Sequence, residues 1–345
     1  MTGIPDLSHR ETRVLEAVIQ MYIETAEPAG SQAVARRSAL GVSPATVRAA
    51  MSELERKGYL FHPHTSAGRI PTDKAYRTYV DRLMRLQTPS DRERHALVAE
   101  FPESGSELEN ILRRAAQVLS VLTQELGVAA APALDEVTLE RLELVRLSSE
   151  RLLMVFNLRS GVVRTIFVQI PAIVAEEVVA QVAGVLNERL AGLSLREIRT
   201  TLSERLRDAA HEPRGRQLLN IFLAEGEDLF DLTLTSPDLH LGTAQMLAEQ
   251  PEFASNERMR ELFDITERRE VLKEAMRNRR QGGVMVTIGG ENLDPALSDL
   301  TLVTASYARG DLMGVIGVLG PTRMPYDKIV GLVDHTSRLI EGLLD

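Results

Sequence analysis

Between Ser8 and Gly58 the chain carries three capped, apolar-periodic segments in quick succession, and no other stretch narrows the possible folds so far. Ser8-x-x-Glu11 forms a capping box, and Val14, Leu15, Val18, Ile19, Tyr22 and Ile23 recur at helical spacing, which predicts a helix from Ser8 to about Ala26. Pro28 and Gly30 end it. Ser31 is expected to cap a short second helix that turns Val34 inward and stops near Ser38. After the turn 39–42, Ser43 takes the N-cap of a third helix and Pro44 its first position, where a missing N–H is harmless. Val47, Met51 and Leu54 make its apolar stripe, and Gly58 sits where a left-handed cap belongs. This is the layout of a helix-turn-helix, whose last helix enters the major groove by its N-terminal end.

That end offers Ser43, Pro44, Ala45, Thr46, Arg48 and Ala49, with Ser52 one turn on. Arg48 falls opposite Val47 and Met51 and is the one long, forked donor there, suited to a guanine edge or a phosphate. Taken on one helix alone, it serves equally well as a solvated surface charge. Ala45, Ala49 and Ala50 are small enough for close seating. Beyond the helix, Tyr59–Phe61 is β-like, residues 62–69 make a turn-rich excursion, and Ile70–Pro71 return. Strand, Gly-tipped loop and strand make a wing whose His64, Thr65, Ser66 and Arg69 face DNA, with Gly68 allowing a close approach. His62-x-His64 lacks the Cys or carboxylate that would complete a metal site, so no metal is expected. Thr72 caps a further helix, about Asp73 to Leu86, whose Lys74, Arg77, Arg82 and Arg85 add positive surface.

Charge distribution agrees with this, although the total does not. The 345 residues carry a net charge of −9. Residues 1–90 nevertheless hold 12 Lys and Arg against 9 Asp and Glu, and residues 36–85 hold 10 against 4. Local charge is what attracts phosphates, and an acidic remainder repels DNA from every other face. With 4% aromatic residues and no Trp, a stacking platform for single strands is unlikely to be built. The absence of Cys excludes disulfides, zinc fingers and thiol catalysis, and fits a reducing cytoplasm. No signal peptide opens the chain and no apolar run reaches the ~18 to 20 residues of a membrane span. A cytoplasmic protein is expected.

Downstream, Gln87-Thr88-Pro89-Ser90 is expected to be a hinge. A long amphipathic helix follows from the capping box Ser106-x-x-Glu109 through Leu126, ended by Gly127; it packs on its own sheet or forms a dimer seam. Strands are expected at Val137–Leu147, Leu152–Asn157 and Val162–Ile170, and again at Val284–Ile288, Leu300–Tyr307 and Met313–Val318. Arg309-Gly310-Asp311 is the last hairpin's turn, and Pro325–Leu344 closes as a helix. Three strands, about a hundred mostly helical residues and three more strands fit one antiparallel sheet with an insert. Gly314, Gly317 and Gly320 lie within a strand and do not make a dinucleotide fingerprint, and Glu291 has no carboxylate partner for acid–base work. No P-loop or nucleophile elbow is present, so neither an enzyme nor a cofactor is expected.

The stretch GSQAVARRSALGVSPATVRAAMSELERKGYLFHPHTSAGRIPTDKAYRTYVDRLM resembles the N-terminal domain of the heat-inducible transcription repressor HrcA family. PHTSAGRIPT followed by YRTYVD is its most specific part, whereas TVR within a helix-turn-helix is widespread. A second match spans IGGEN at 288–292 and LTLVTASYARGDLMGVIGVLGPTRMPYDKIV at 300–330, with a weaker one at QPEF, 250–253. Leu319 stands where the family tends to have Ile, and Pro325 between Met324 and Tyr326 is a local variation. The resemblance implies an α+β multidomain chain: a winged helix-turn-helix over 1–88, a discontinuous GAF-like domain over 89–171 and 281–345, and a mostly helical dimerising insert over 172–280. It also implies a homodimer on an inverted-repeat operator of the CIRCE type in double-stranded DNA, ahead of chaperone operons, assisted by the GroE chaperonin. Two alternatives stay open on the residues: a winged-helix repressor switched by a small molecule in the GAF-like domain, and a protein–protein scaffold that does not use DNA.

Overall fold

Ser8, Ser43, Thr72, Ser90 and Ser194 each accept a hydrogen bond from the backbone N–H three residues on, so five helix starts are set by local chemistry before any packing. They are seen in a computed structural model that describes residues 6–37, 41–63, 68–101, 108–132, 137–159, 161, 163–170, 174–207, 215–230, 239–277, 279, 282–309 and 312–344. The chain is a mixed α/β protein and divides into two compact units, one of 1–130, 239–307 and 315–345, the other of 131–238 and 308–314.

The first unit opens with α1 (His9–Thr25), α2 (Ser31–Arg37) and α3 (Pro44–Arg56). The Ser8 capping box is complete, and Ala26 ends α1 in the left-handed region. Ser31 is the first helical residue and not the cap, because the Val34 N–H donates to Gly30 O at 3.0 Å and closes the first turn one residue early. Val14, Leu15, Val18, Ile19, Val34, Val47, Met51 and Leu54 are buried together, as the spacing predicts. Strands β1 (Leu60–Phe61) and β2 (Ile70–Pro71) pair antiparallel, with Leu60 opposite Pro71. The helix expected from Asp73 to Leu86 is shorter: α4 (Asp73–Thr78) passes into a wider π-helical turn, Tyr79–Leu83, which lets Tyr76 and Tyr79 both bury. The expected hinge is a fastened segment. The Gln87 N–H donates to Asp327 O at 3.1 Å and its side chain to Asp327 Oδ2 at 2.6 Å, and Ser90 caps the unexpected helix α5 (Asp91–Glu100).

Helix α6 (Leu108–Thr123) stops three residues before Leu126, at Gln124 with φ +60°. Leu126–Ala130 is strand β3, buried on both faces, which the sequence reading had given to the helix tail. A short run that is apolar on both faces has the same appearance in either state. Gly127 is required because a Cβ there would lie 2.0 Å from Ala116 O, so closely does α6 lie on its own sheet.

Strands β4 (Leu139–Arg146), β5 (Arg151–Leu158) and β6 (Val163–Gln169) form an antiparallel meander. Helices α7 (Glu176–Leu190), α8 (Leu195–Leu206) and α9 (Arg216–Leu229) follow, and Leu142, Met154, Phe156 and Val168 share a core with Val182, Leu186, Ile198 and Phe222. Strand β7 (Leu239–Leu241), helices α10 (Ala244–Ala248), α11 (Asn256–Glu267) and α12 (Arg269–Arg277), strands β8 (Val284–Ile288), β9 (Leu300–Arg309) and β10 (Leu312–Pro321), and helix α13 (Tyr326–Leu344) complete the chain. The expectation of one sheet is overturned. A five-stranded sheet runs β7-β3-β10-β9-β8, and β4-β5-β6 is a second sheet of its own. The short turns of the meander bring its strands together locally, and the apolar faces of α7 to α9 cover it without the larger sheet. Gly310 and Asp311, expected in the β9–β10 turn, lie outside the described residues.

Candidate nucleic-acid interface

Helix α3 is anchored by one face and open on the other. Ser43 Oγ accepts from the Thr46 N–H at 3.2 Å and lies 3.0 Å from Thr46 Oγ1, which holds the first turn. Val47, Ala50, Met51 and Leu54 are buried. Ser43, Pro44, Ala45, Arg48, Ala49 and Ser52 are exposed and Thr46 is half-buried. Ala50 therefore belongs to the core and not to the open face. Ser52 Oγ donates to Arg48 O at 3.1 Å, which leaves the Arg48 guanidinium in no ion pair among the described residues. A long cation held on a rigid helix with only small side chains about it can approach a flat polyanionic surface without a steric obstacle.

His9, Arg10 and Arg13, on the first turns of α1, share a small concavity of about 120 Å³ with Val14 and Val42, the residue before the Ser43 cap. All three are exposed. The sequence reading passed over them, since on α1 alone they are simply its polar face. The signal that would find them is tertiary: the turn before α3 comes back to the start of α1.

The hairpin is tied to α3 by Glu55. Its carboxylate pairs with His62 Nδ1 on one strand end and lies 2.9 Å from Arg69 Nε on the other, in an ion pair without hydrogen-bond alignment. The Arg69 side chain is 21% exposed, so in this structure it braces the base of the hairpin. Gly68 is needed for contact with the protein's own chain and not with a ligand: a Cβ there would lie 2.4 Å from Pro28 O. This allows Arg69 and Ala29 to exchange two 2.9 Å backbone hydrogen bonds. His64, Thr65 and Ser66 lie outside the described residues.

Two further cations thought to add positive surface have other duties. Lys74 lies 4.2 Å over the Tyr59 ring and donates to Lys57 O at 2.8 Å. Arg77 forms a two-pronged pair with Glu291, Nε to Oε1 at 2.8 Å, and donates to Val286 O at 2.6 Å. Asp73 Oδ2 accepts the Gly290 N–H at 3.0 Å, and Gly289 has no room for a Cβ beside that carboxylate. The IGGEN run is thus a seat for α4. At a second anchor Arg323, nearly buried, donates to Ile23 O near the end of α1 at 2.7 Å. It also grips Glu252 at 2.6 and 3.0 Å and Gln250 at 2.9 Å, which explains the pairing of QPEF with GPTRM. The α1–α4 module is therefore held to the five-stranded sheet by residues far apart in sequence.

Residues 109–330 match the family model described as HrcA protein C terminal domain. The chain belongs to the HrcA family. The heat-inducible transcription repressor HrcA of Chlorobium phaeobacteroides strain BS1 is 39% identical over 344 residues, covering 96% of both chains. That of Geobacter sulfurreducens is 36% identical over 345 residues, covering 99% of both. A crystal structure titled as a hypothetical protein at 2.2 Å resolution shares the fold, with a TM-score of 0.65 at 22% identity over 98% of each chain. As an HrcA relative over its whole length, the chain is a transcription repressor and not an enzyme. Among the described residues, no helix of this HrcA chain is long and apolar enough to cross a membrane, and no cluster of His, Asp and Glu offers a metal site.

Proposed function

We propose that α1 to α3 with the β1–β2 hairpin are a winged helix-turn-helix, and that α3 enters the major groove of an inverted-repeat operator of the CIRCE type ahead of chaperone operons. The single observation that carries this reading is Arg48, exposed and without an ion pair at the capped end of a helix whose other face is buried. Arg48 reads a base edge. Ser43, Pro44, Ala45, Thr46 and Ser52 line the approach, with His64, Thr65, Ser66 and Arg69 on the wing. Arg69 reaches a phosphate only by leaving Glu55. His9, Arg10 and Arg13 add phosphate contacts beside the Ser43 turn.

A palindrome calls for two copies of the chain. The three-stranded sheet supports a homodimer: opposite its covered face, Val145, Leu153 and Phe167 stand in one cross-strand row, and Val145, Val163 and Phe167 are 44%, 57% and 60% exposed. The second copy covers that face. The five-stranded sheet with its helices is GAF-like in this reading, and the unit of β4 to β6 and α7 to α9 is the dimerising insert. The repressor works in the cytoplasm, and GroE restores its active form after heat.

The test is a gel shift of the protein's own chaperone-operon promoter fragment, run with and without chaperonin and ATP. Retardation that scrambling one half-site abolishes is expected. Failure to retard any palindromic promoter fragment would leave a scaffold in its place. A chaperonin-independent signal after mild heating would remove GroE from the mechanism.

A further inference from the structure

A cavity of about 470 Å³ lies in the first unit between α12, the first residues of β8 and the loop 291–297. Its volume is that of a site for a small organic molecule. On its wall sits Arg279, only 6% exposed. The guanidinium donates through Nη1 to Leu302 O at 3.2 Å and through Nη2 to Thr287 Oγ1, two uses for a group that carries five N–H donors. Thr287 in turn donates to Asn292 Oδ1 at 2.8 Å, and Asn292 Nδ2 lies 2.8 to 3.0 Å from the carbonyls of Gly289, Leu297 and Leu300. The wall is thus hydrogen-bonded in place before any ligand arrives.

The charges around this cavity are unevenly matched. Glu291 is taken by Arg77 and by the Ile288 N–H at 2.9 Å. Glu274 lies 3.6 Å from Arg277, and Asp294 accepts from the Ala296 N–H at 2.8 Å. Each carboxylate of the lining has its own partner, whereas Arg279 is in no ion pair among the described residues. Burial draws its guanidinium down to about 10, with Glu291 offsetting part of that. An isolated charge so far from water is unfavourable until an anion meets it.

We propose that this cavity binds a small organic carboxylate, its anionic end on the open donors of Arg279 and its apolar part against Val271, Met285 and Leu297. The proposal deepens the reading of this body as regulatory, and it does not depend on operator binding. Glu291 is a wall of the cavity and also the seat of Arg77 on α4. A second anion beside Glu291 is therefore felt directly at the attachment of the DNA-binding module.

The experiment uses the full chain and three probes, acetate, succinate and benzoate, with benzyl alcohol as the uncharged control and inorganic phosphate as the non-carboxylate anion. At least one carboxylate is expected to raise Tm by about 3 °C at ten times its Kd, with benzyl alcohol and phosphate inert at the same concentrations. Arg279→Gln should abolish the shift. Leu293 at the rim is 90% exposed, so Leu293→Trp keeps the fold, narrows the mouth and weakens binding at least tenfold, even if Arg279→Gln fails to fold. No shift with any of the three carboxylates, an equal shift with benzyl alcohol, or full binding by Leu293→Trp and a folded Arg279→Gln overturns the site. A response to phosphate alone overturns the carboxylate. Because ligand binding is read without DNA, its failure is distinct from failure of the gel shift.

Discussion

Arg77 and Glu291, 214 positions apart, meet through both guanidinium nitrogens and both carboxylate oxygens, and Arg77 reaches past the carboxylate to the carbonyl of Val286. Helix α4 and the 288–292 turn are therefore one structural joint. Burial pushes the Glu291 carboxyl up, but the Arg77 hydrogen bonds and the Ile288 N–H together hold it below the usual carboxylate range.

A double-mutant cycle should measure this joint. Arg77→Ala and Glu291→Gln are each expected to lose about 1–2 kcal/mol in urea unfolding, with a coupling energy near ~1 kcal/mol, since both side chains are about a third exposed and screened. A coupling energy of zero would mean that the pair orients nothing.

Arg48→Ala should weaken operator binding by about 1–3 kcal/mol while leaving random DNA nearly unaffected. Its position outside the core means that Tm stays within about a degree of the parent. Equal losses on both DNAs, measured by fluorescence anisotropy, would make it a phosphate contact.

Arg69→Ala should act twice. Removing the partner of Glu55 loosens the hairpin by about 1 kcal/mol, and losing one phosphate contact flattens the slope of log affinity against log salt by about one unit. A stability loss with an unchanged slope would assign Arg69 to the hairpin alone.

Gly68→Ala places a Cβ within 2.6 Å of Pro28 O and of the Ala29 backbone. The backbone cannot yield as a flexible side chain does, so a loss of about 2–4 kcal/mol and early melting of the N-terminal module are expected by calorimetry. A neutral outcome would show that the Ala29–Arg69 bridge is dispensable.

Acid should open the same module. The Lys57 hydrogen bond, opposed by burial and helped by Ser8, holds Glu11 down to about 2 from its ordinary 4.5. A depressed folded-state value means that the contribution is fully present above about 4.5 and disappears as pH falls from there towards 2. Glu11→Gln should therefore be less stable than the parent at pH near 7 and should lose less between pH of about 4.5 and 3. Parallel curves for the two proteins would remove Glu11 as the titrating group.

Much of the N-terminal module was legible because its signals are local. Ser8, Ser43 and Thr72 cap through bonds three residues long, and Val47, Met51 and Leu54 mark the buried side of α3 by spacing alone. From those two facts Arg48 had to face outward. Spacing states which side of an element turns inward but not which surface it meets. Leu126–Ala130 is apolar on every side, so the order of residues left helix tail and central strand equally open, and packing between β7 and β10 decided it. The same limit hid the separate sheet of β4 to β6, the fastening of Gln87 to Asp327, and the conversion of Arg77 and Arg69 from presumed surface charges into braces. Caps, stripes and the open face of α3 follow from bonds that span a turn or two of chain. The joints between modules depend on residues hundreds of positions apart becoming neighbours, and only the closed tertiary structure makes them so.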